Sequence, residues 1–314
     1  MVDRQVCMKL LVVGSIAFDT VKTPFGKVKE VIGGSAVYAS IAASYFVRPT
    51  IIGVVGQDFK KRYFEMLENH NIDTSYIKIL KGKTFRWEGF YDYDLNTAHT
   101  VNTQLNVFSN FNPSLDENLK KETKFVFLGN IDPEIQYKVY KQIMSPLLIA
   151  CDTMNWWIEN KPRQLKKVIK NVDILFINES ELRQFTNEYN IVKAAKMVKS
   201  LGVKIVIVKR GEYGAICFYK NRIFVVPGYP LEKVYDPTGA GDSFAGGVMG
   251  FLASKLKDTT ITESLLRQAI IFGTVTASFC VEDFGVNRIY NISFNQICKR
   301  YREIKQLTHF EELK

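Results

Sequence analysis

Asp236-Pro237-Thr238-Gly239-Ala240-Gly241-Asp242-Ser243-Phe244 runs from a tight glycine turn straight into an apolar helix. Gly239, Ala240 and Gly241 are small enough to let the backbone turn and aim successive N–H groups inward. The run that follows, Ala240–Ser254, is apolar nearly all round, which predicts a buried, central helix. A helix start with bare amides binds anions, phosphate above all. Asp242 falls in the first turn, beside the place where such an anion would lie. A carboxylate there repels the ligand unless it has a task. The task that fits is general base, taking a proton from a hydroxyl that attacks a phosphoryl group. The amides of Gly239, Ala240 and Gly241 then form a hole for charge on the transferring group. The local alternative is a glycine turn with Asp242 as an ordinary helix-start residue.

Outward from this stretch, short β-rich apolar runs alternate with helical patterns, the signature of a parallel sheet covered on both faces. The strands predicted are Leu10–Val13, Thr50–Val55, Phe125–Leu128, Leu147–Ala150, Ile174–Ile177 and Lys204–Val208. Helices are predicted at Ser35–Phe46, Phe59–Asn69, Pro133–Met144, Arg163–Ile169, Val192–Leu201 and Glu263–Val281. A hairpin, Ala215–Tyr219 with Arg222–Val226, turns at Lys220-Asn221. Two segments break the rhythm: one within residues 18–32, and Ile77–Asn106, whose run from Thr84 to Tyr93 is aromatic and strand-like with no helix behind it. Such strands serve as a flap over a site or as a dimer interface. No internal repeat or low-complexity linker marks a boundary, so residues 1–314 are expected to form a single domain carrying a small inserted β lid.

Composition narrows the function classes. With 46% hydrophobic and 24% charged residues the chain has ordinary globular character. The longest apolar runs, as around Leu10–Phe18, are about nine or ten residues, short of the ~18–20 needed to cross a bilayer. Arg4 and Lys9 precede that run, but Gly14, Ser15 and Asp19 make it a buried first strand and not a leader. Cys7, Cys151, Cys217, Cys280 and Cys298 are odd in number and far apart, which suits reduced thiols in the cytoplasm. Three scattered histidines argue against a zinc site or a histidine triad. The charge of +10 suits anionic small molecules. Its densest run, Lys161 to Lys170, spreads around a helix without an RNA-binding signature, so neither nucleic acid nor membrane is expected as a partner.

The Asp-x-Thr-Gly-Ala-Gly-Asp run late in a chain of this length resembles the second signature of the PfkB carbohydrate kinase (ribokinase-like) family. Other stretches agree in the family's order over roughly residues 9 to 290. Val13-Gly14-Ser15-Ile16-Ala17-Phe18-Asp19 resembles the first-strand motif whose Asp holds substrate hydroxyls, and Asp19 lies where open α/β sheets bind ligands. Gly33-Gly34-Ser35-Ala36-Val37-Tyr38-Ala39 resembles the first signature, but with Tyr38 where the family has an Asn that contacts sugar. A phenol cannot copy an amide's paired donor and acceptor, so the acceptor cannot be carried over. Gly53-Val54-Val55-Gly56-Gln57-Asp58 matches the Gly-x-Asp after the second core strand. Asn178-Glu-Ser-Glu181 matches the Asn-x-x-Glu linked to Mg²⁺ and phosphate, though Glu181 could equally complete a helix cap. Lys209, Gly211 and Gly214 resemble the nucleotide-side loop, with Thr238 also on that side. Asp152 and Asn155 resemble an acid-and-amide pattern beside the substrate, and Asp236 a position tied to a monovalent cation.

The resemblance implies a three-layer α/β/α sandwich with a mostly parallel sheet, and an ATP-dependent kinase acting on a hydroxyl of a small sugar-like molecule. The cofactors it implies are ATP and Mg²⁺, with K⁺ as a further expectation. Asp19, Gly33, Gly34, Tyr38, Arg86, Asp152 and Asn155 are expected to line the acceptor side, and Glu181 with Asn178 to organise Mg²⁺ through water. The aromatic lid residues and Arg86 leave room for a sugar, a nucleoside or an already phosphorylated acceptor. The lid is also a candidate surface for a homodimer. A nucleoside kinase of the same family and a non-catalytic ligand sensor are the alternatives, and an intact Asp242 with its Gly-Ala-Gly argues against the sensor.

Overall fold

Strand β1 (Lys9–Val13) reads Lys-Leu-Leu-Val-Val, and its last four residues are buried. Leu10 and Val12 pack into one apolar core and Leu11 and Val13 into another. A strand sends successive side chains to opposite faces, so two separate cores on one strand mean a sheet covered on both sides. The computed structural model describes residues 9–311, and Arg4 and Cys7 lie outside them. The strands that follow are β2 (Ala17–Thr23), β3 (Gly26–Gly33), β4 (Pro49–Gly56), β5 (Ile77–Leu80), β6 (Phe85–Tyr91) and β7 (Ala98–Gln104). Then come β8 (Thr123–Leu128), β9 (Leu148–Cys151), β10 (Ile174–Asn178), β11 (Ile205–Lys209), β12 (Ala215–Tyr219) and β13 (Arg222–Val226).

The main sheet has the order β13-β12-β11-β10-β9-β8-β1-β4-β5. From β11 to β5 all neighbours are parallel, and the β12–β13 hairpin adds two antiparallel strands at one edge. The helices Ser35–Ser44, Ala240–Lys255 and Glu263–Cys280 supply one core, and Pro133–Tyr140, Pro162–Ile169, Glu179–Thr186 and Ile191–Lys199 the other. The architecture is therefore a three-layer α/β/α sandwich. The helix Ala240–Lys255 is buried continuously from Ser243 to Ala253. Its Gly246 lets it sit on the helix Ser35–Ser44, since a Cβ there would stand 2.1 Å from Ala39 O.

A second sheet, β3-β2-β6-β7, forms the lid. Ile77–Leu80, expected within it, instead pairs in parallel with β4 at the edge of the main sheet. The helix Lys61–Asn69 provides the crossover that makes this an ordinary β-α-β unit. The later lid segment thus starts at Phe85, and the earlier one is the β2–β3 hairpin.

Candidate active site

The anion loop is set by Asp236, which has no exposure. Its Oδ1 accepts from the Thr238 amide at 2.9 Å and its Oδ2 from the Gly285 amide at 3.1 Å. Gly239 then takes the left-handed conformation, φ 77°, and a Cβ there would stand 2.3 Å from the Tyr38 ring, so only glycine fits. The Ala240 N–H donates to Pro237 O at 3.1 Å, closing the turn. Ala240, expected in the anion hole, is therefore spent on the turn. Among the described residues the amides of Gly239, Gly241 and Asp242 donate to no protein acceptor, and the helix has no side-chain cap. Those three N–H groups are left at the helix start for an acceptor from outside the protein.

Asp242 stands half-buried at this helix start. Burial, with Asp152 adding and Lys209 opposing, pushes its carboxyl up to about 7. Lys209 ends β11 and places Nζ 2.5 Å from Oδ2 of Asp152, just past the end of β9. Gln136 Nε2 donates to the carbonyls of Leu128, Gly129 and Asp152, tying the ends of β8 and β9 together. Glu181 N donates to Asn178 Oδ1 at 2.8 Å and Asn178 N to Glu181 Oε2 at 2.9 Å, a reciprocal cap. Glu181 is also buried, and desolvation raises its carboxyl to about 7, with Lys209 opposing and Asp152 adding. The cap and the polar cluster thus share one side chain. Asn178 differs from expectation: its Oδ1 already accepts from Glu181 N and Ser180 Oγ, which leaves its amide nitrogen for a ligand. Beyond Lys209, Gly211 (φ 56°) and Gly214 (φ 84°) fold a tight loop closed by Gly214 N to Gly211 O.

The residues expected on the acceptor side lie partly under the lid sheet. Asp19, on β2, is buried, and a Cβ on Gly33 would stand 1.9 Å from its Oδ2. Burial, then Asp236, push its carboxyl up to about 7; the Gly34 amide pulls it back and Asp242 adds a little. Gly34, at φ 94°, would bring a Cβ to 2.5 Å from Ser15 O. Tyr38 is buried with an unpartnered hydroxyl, its ring filling the gap between Gly33 and Gly239.

Asp19 pairs with Trp87 in the β2–β6 register, so the two side chains share a face. Tyr91, four residues on, lies on that face too, and its hydroxyl is 3.3 Å from Thr238 Oγ1. The Trp87 ring lies against Gly89, where a Cβ would be 2.3 Å from it, and its Nε1 donates to Thr100 Oγ1. Trp87 and Tyr91 belong to the aromatic lid run, and the alternation Trp87, Gly89, Tyr91 puts them on this one face. Asn96, between β6 and β7, reaches the nucleotide-side loop, with Oδ1 2.9 Å from where a Gly211 Cβ would stand.

Three expected acceptor contacts lie elsewhere. Arg86 occupies the opposite face, giving Nε to Glu30 at 2.7 Å, Nη2 to Asp58 at 2.8 Å and Nη1 to Thr84 O at 3.0 Å. It pins the lid to the end of β4. Asp152 is engaged by Lys209, and Asn155 is exposed at the start of the helix Asn155–Asn160.

Residues 8–291 match the model of the pfkB family of carbohydrate kinases. The chain belongs to this family. The kinase is therefore a phosphotransferase with an alcohol acceptor, a sugar or a nucleoside. It is 29% identical to the cytidine kinase of Thermococcus kodakarensis over 77% of this chain and 87% of that protein. It is 27% identical to the nucleoside kinase of Methanocaldococcus jannaschii over 82% and 81%. The crystal structure of a nucleoside kinase from M. jannaschii, an archaeal member of the ribokinase family, superposes with a TM-score of 0.76 at 23% identity. It covers 94% of this chain and 98% of that one, so the kinase has the ribokinase-like fold. Among the described residues no helix is long and apolar enough to cross a membrane.

Proposed function

We propose that this kinase transfers the γ-phosphoryl group of ATP to a ribose hydroxyl of a nucleoside. The observation that carries the reading is Asp19 and Trp87 side by side on the inner face of the lid. A carboxylate takes the sugar hydroxyls, and an indole plane beside it offers a stacking surface for a base. The engagement of Arg86 by Glu30 and Asp58 weighs against a phosphorylated sugar as acceptor. The names of the two curated relatives above point the same way.

In the reaction Asp242 accepts the proton of the attacking hydroxyl. The acceptor oxygen bonds to the γ-phosphorus while the bond to the bridging oxygen breaks, and ADP leaves with that electron pair. The free amides of Gly239, Gly241 and Asp242 meet the charge on the phosphoryl oxygens. Mg²⁺ accompanies the nucleotide phosphates and neutralises their charge when bound. Among the described residues no group of three acidic, histidine or cysteine side chains could hold a metal by itself. Glu181, with one oxygen committed to the cap, fits an ion that keeps much of its water. Asp236, a buried carboxylate held by backbone amides, is the group a K⁺ ion would neighbour. Cys151, Cys217, Cys280 and Cys298, all unpaired, suit a cytoplasmic kinase.

The test is ADP release over a panel of nucleosides, pentoses, hexoses and their phosphates, with Asp242→Asn as control. Nucleosides should give the highest kcat/KM. Faster turnover of a free sugar would replace the nucleoside reading with a sugar kinase, and no ADP release with any acceptor would favour a non-catalytic sensor.

A further inference from the structure

Four charged side chains meet beside the anion loop, and the base reading uses only Asp242 among them. Asp152, Glu181 and Asp242 are carboxylates, and Lys209 is the ammonium that touches Asp152 and feels the charge of all three. The Lys209 side chain is 17% exposed and that of Asp152 only 3%. Charges this sheltered persist only against opposite charge. Burial works against the Lys209 proton, but Asp152 and Glu181 outweigh it and hold the ammonium above its ordinary value. The contact with Asp152 takes one of the ammonium's three donors. The cluster sets three acids against one base, at the place where a phosphoryl group brings further negative charge. Lys209 Nζ is 3.1 Å from the position a Cβ on Gly241 would take. The ammonium therefore lies against Gly241, whose N–H donates to no protein acceptor.

We propose that Lys209 is a catalytic residue of the phosphoryl transfer: its ammonium donates to a nonbridging oxygen of the group in flight, while Asp152 holds it in place. This rests on the site reading given under the proposed function. The bonds made and broken are those given there, the hydroxyl proton goes to Asp242, and Lys209 stays protonated throughout. A compact ammonium suits this task, since it presents a point charge in any of three donor directions. A lysine that merely neutralised Asp152 would have no reason to stand over the anion hole.

The two roles separate by experiment. With ATP and the fastest acceptor of the panel, Lys209→Met is expected to lower kcat by ~10²–10³-fold, the worth of one donor to the developing charge. ADP affinity should change little. The deciding variant is Asp152→Asn combined with Lys209→Met, which removes the unpaired buried carboxylate along with the lysine, so it also covers a single variant that fails to fold. If Lys209 touches the phosphoryl group, the double variant stays as slow as Lys209→Met is expected to be. Recovery to within about tenfold of wild type would leave only the neutralising role and overturn the proposal. Should no acceptor be turned over, acceptor-free ATP hydrolysis gives the same comparison. Asp242→Asn is run alongside: if it keeps its turnover the base assignment falls, while the double variant still decides Lys209.

Discussion

Asp242→Asn should make the kinase slower and, above neutral pH, more stable. The carboxyl rises from an ordinary 3.8 to about 7 because folding buries it among Asp152 and Lys209. A raised acid is favoured in the fold when protonated, so its contribution is full below the unfolded value and is lost as pH climbs through about 7. At about 1.4 kcal/mol per pH unit, the loss by pH 8 reaches ~4 kcal/mol at the limit. Partial solvent access leaves roughly half of that. The Asn variant escapes this cost, and an advantage of about 2 kcal/mol corresponds to a rise in Tm on the order of 4 °C at pH 8. At pH 5 most of the advantage should vanish. Turnover should fall by ~10²–10⁴-fold, since the amide is nearly isosteric but cannot take the proton. Urea melts of both proteins at pH 5 and 8, beside kcat with saturating ATP, give the two readouts. A variant that keeps more than about a tenth of wild-type turnover under chemistry-limited conditions would refute the base assignment. An unchanged stability difference between the two pH values would refute the buried, uphill carboxylate.

The same carboxyls should shape the pH–rate profile. Asp19 and Asp242 both titrate near 7, so kcat/KM should drop below neutral pH with a slope steeper than ~10-fold per unit when both must be ionised; a flat profile to pH 5.5 would count against both roles. Trp87→Ala should raise KM for a nucleoside by about 1–3 kcal/mol of lost stacking, with KM for ATP little changed; an equal rise for both would assign Trp87 to lid folding instead. Gly33→Ala drives a methyl into Asp19 Oδ2, and a displaced acceptor should cost ~10²-fold in kcat/KM, which steady-state kinetics would show. Glu181→Gln keeps an oxygen for the Asn178 amide and loses a buried charge, so the Tm should not fall while the Mg²⁺ concentration for half-maximal rate rises; coincident Mg²⁺ titrations and equal rates would leave Glu181 as a cap alone.

Much of this molecule is written locally. Apolar runs such as Leu10–Val13 and Ile174–Ile177 specify buried strands because four residues are too few for a helix of several turns, and a strand covered on both faces hides them all. Gly239 announces its turn because only glycine takes φ 77° against the Tyr38 ring. Asp242 follows at fixed spacing from that turn, so the candidate base is legible without any tertiary contact. Partners remote in sequence were not. Lys209 and Asp152 are 57 residues apart, and Tyr91 and Thr238 147 apart. A lysine ending a strand reads as a nucleotide-side residue until the parallel order β9-β10-β11 brings its ammonium to a buried carboxylate. Arg86 and Trp87 are neighbours in one aromatic run, yet pairing of β6 with β2 turns one toward Asp58 and the other toward the inner face with Asp19. Ile77–Leu80 is four residues long, too short for its pattern to say which sheet it joins until β4 offers an edge. Which amide is spent closing the turn, Ala240 and not Asp242, depends on where Pro237 O points. Local sequence thus determined which residue types stand where backbone conformation and burial are self-evident. The packing of strands and lid decided which charges meet, because that choice is a property of the sheet order and not of any single segment.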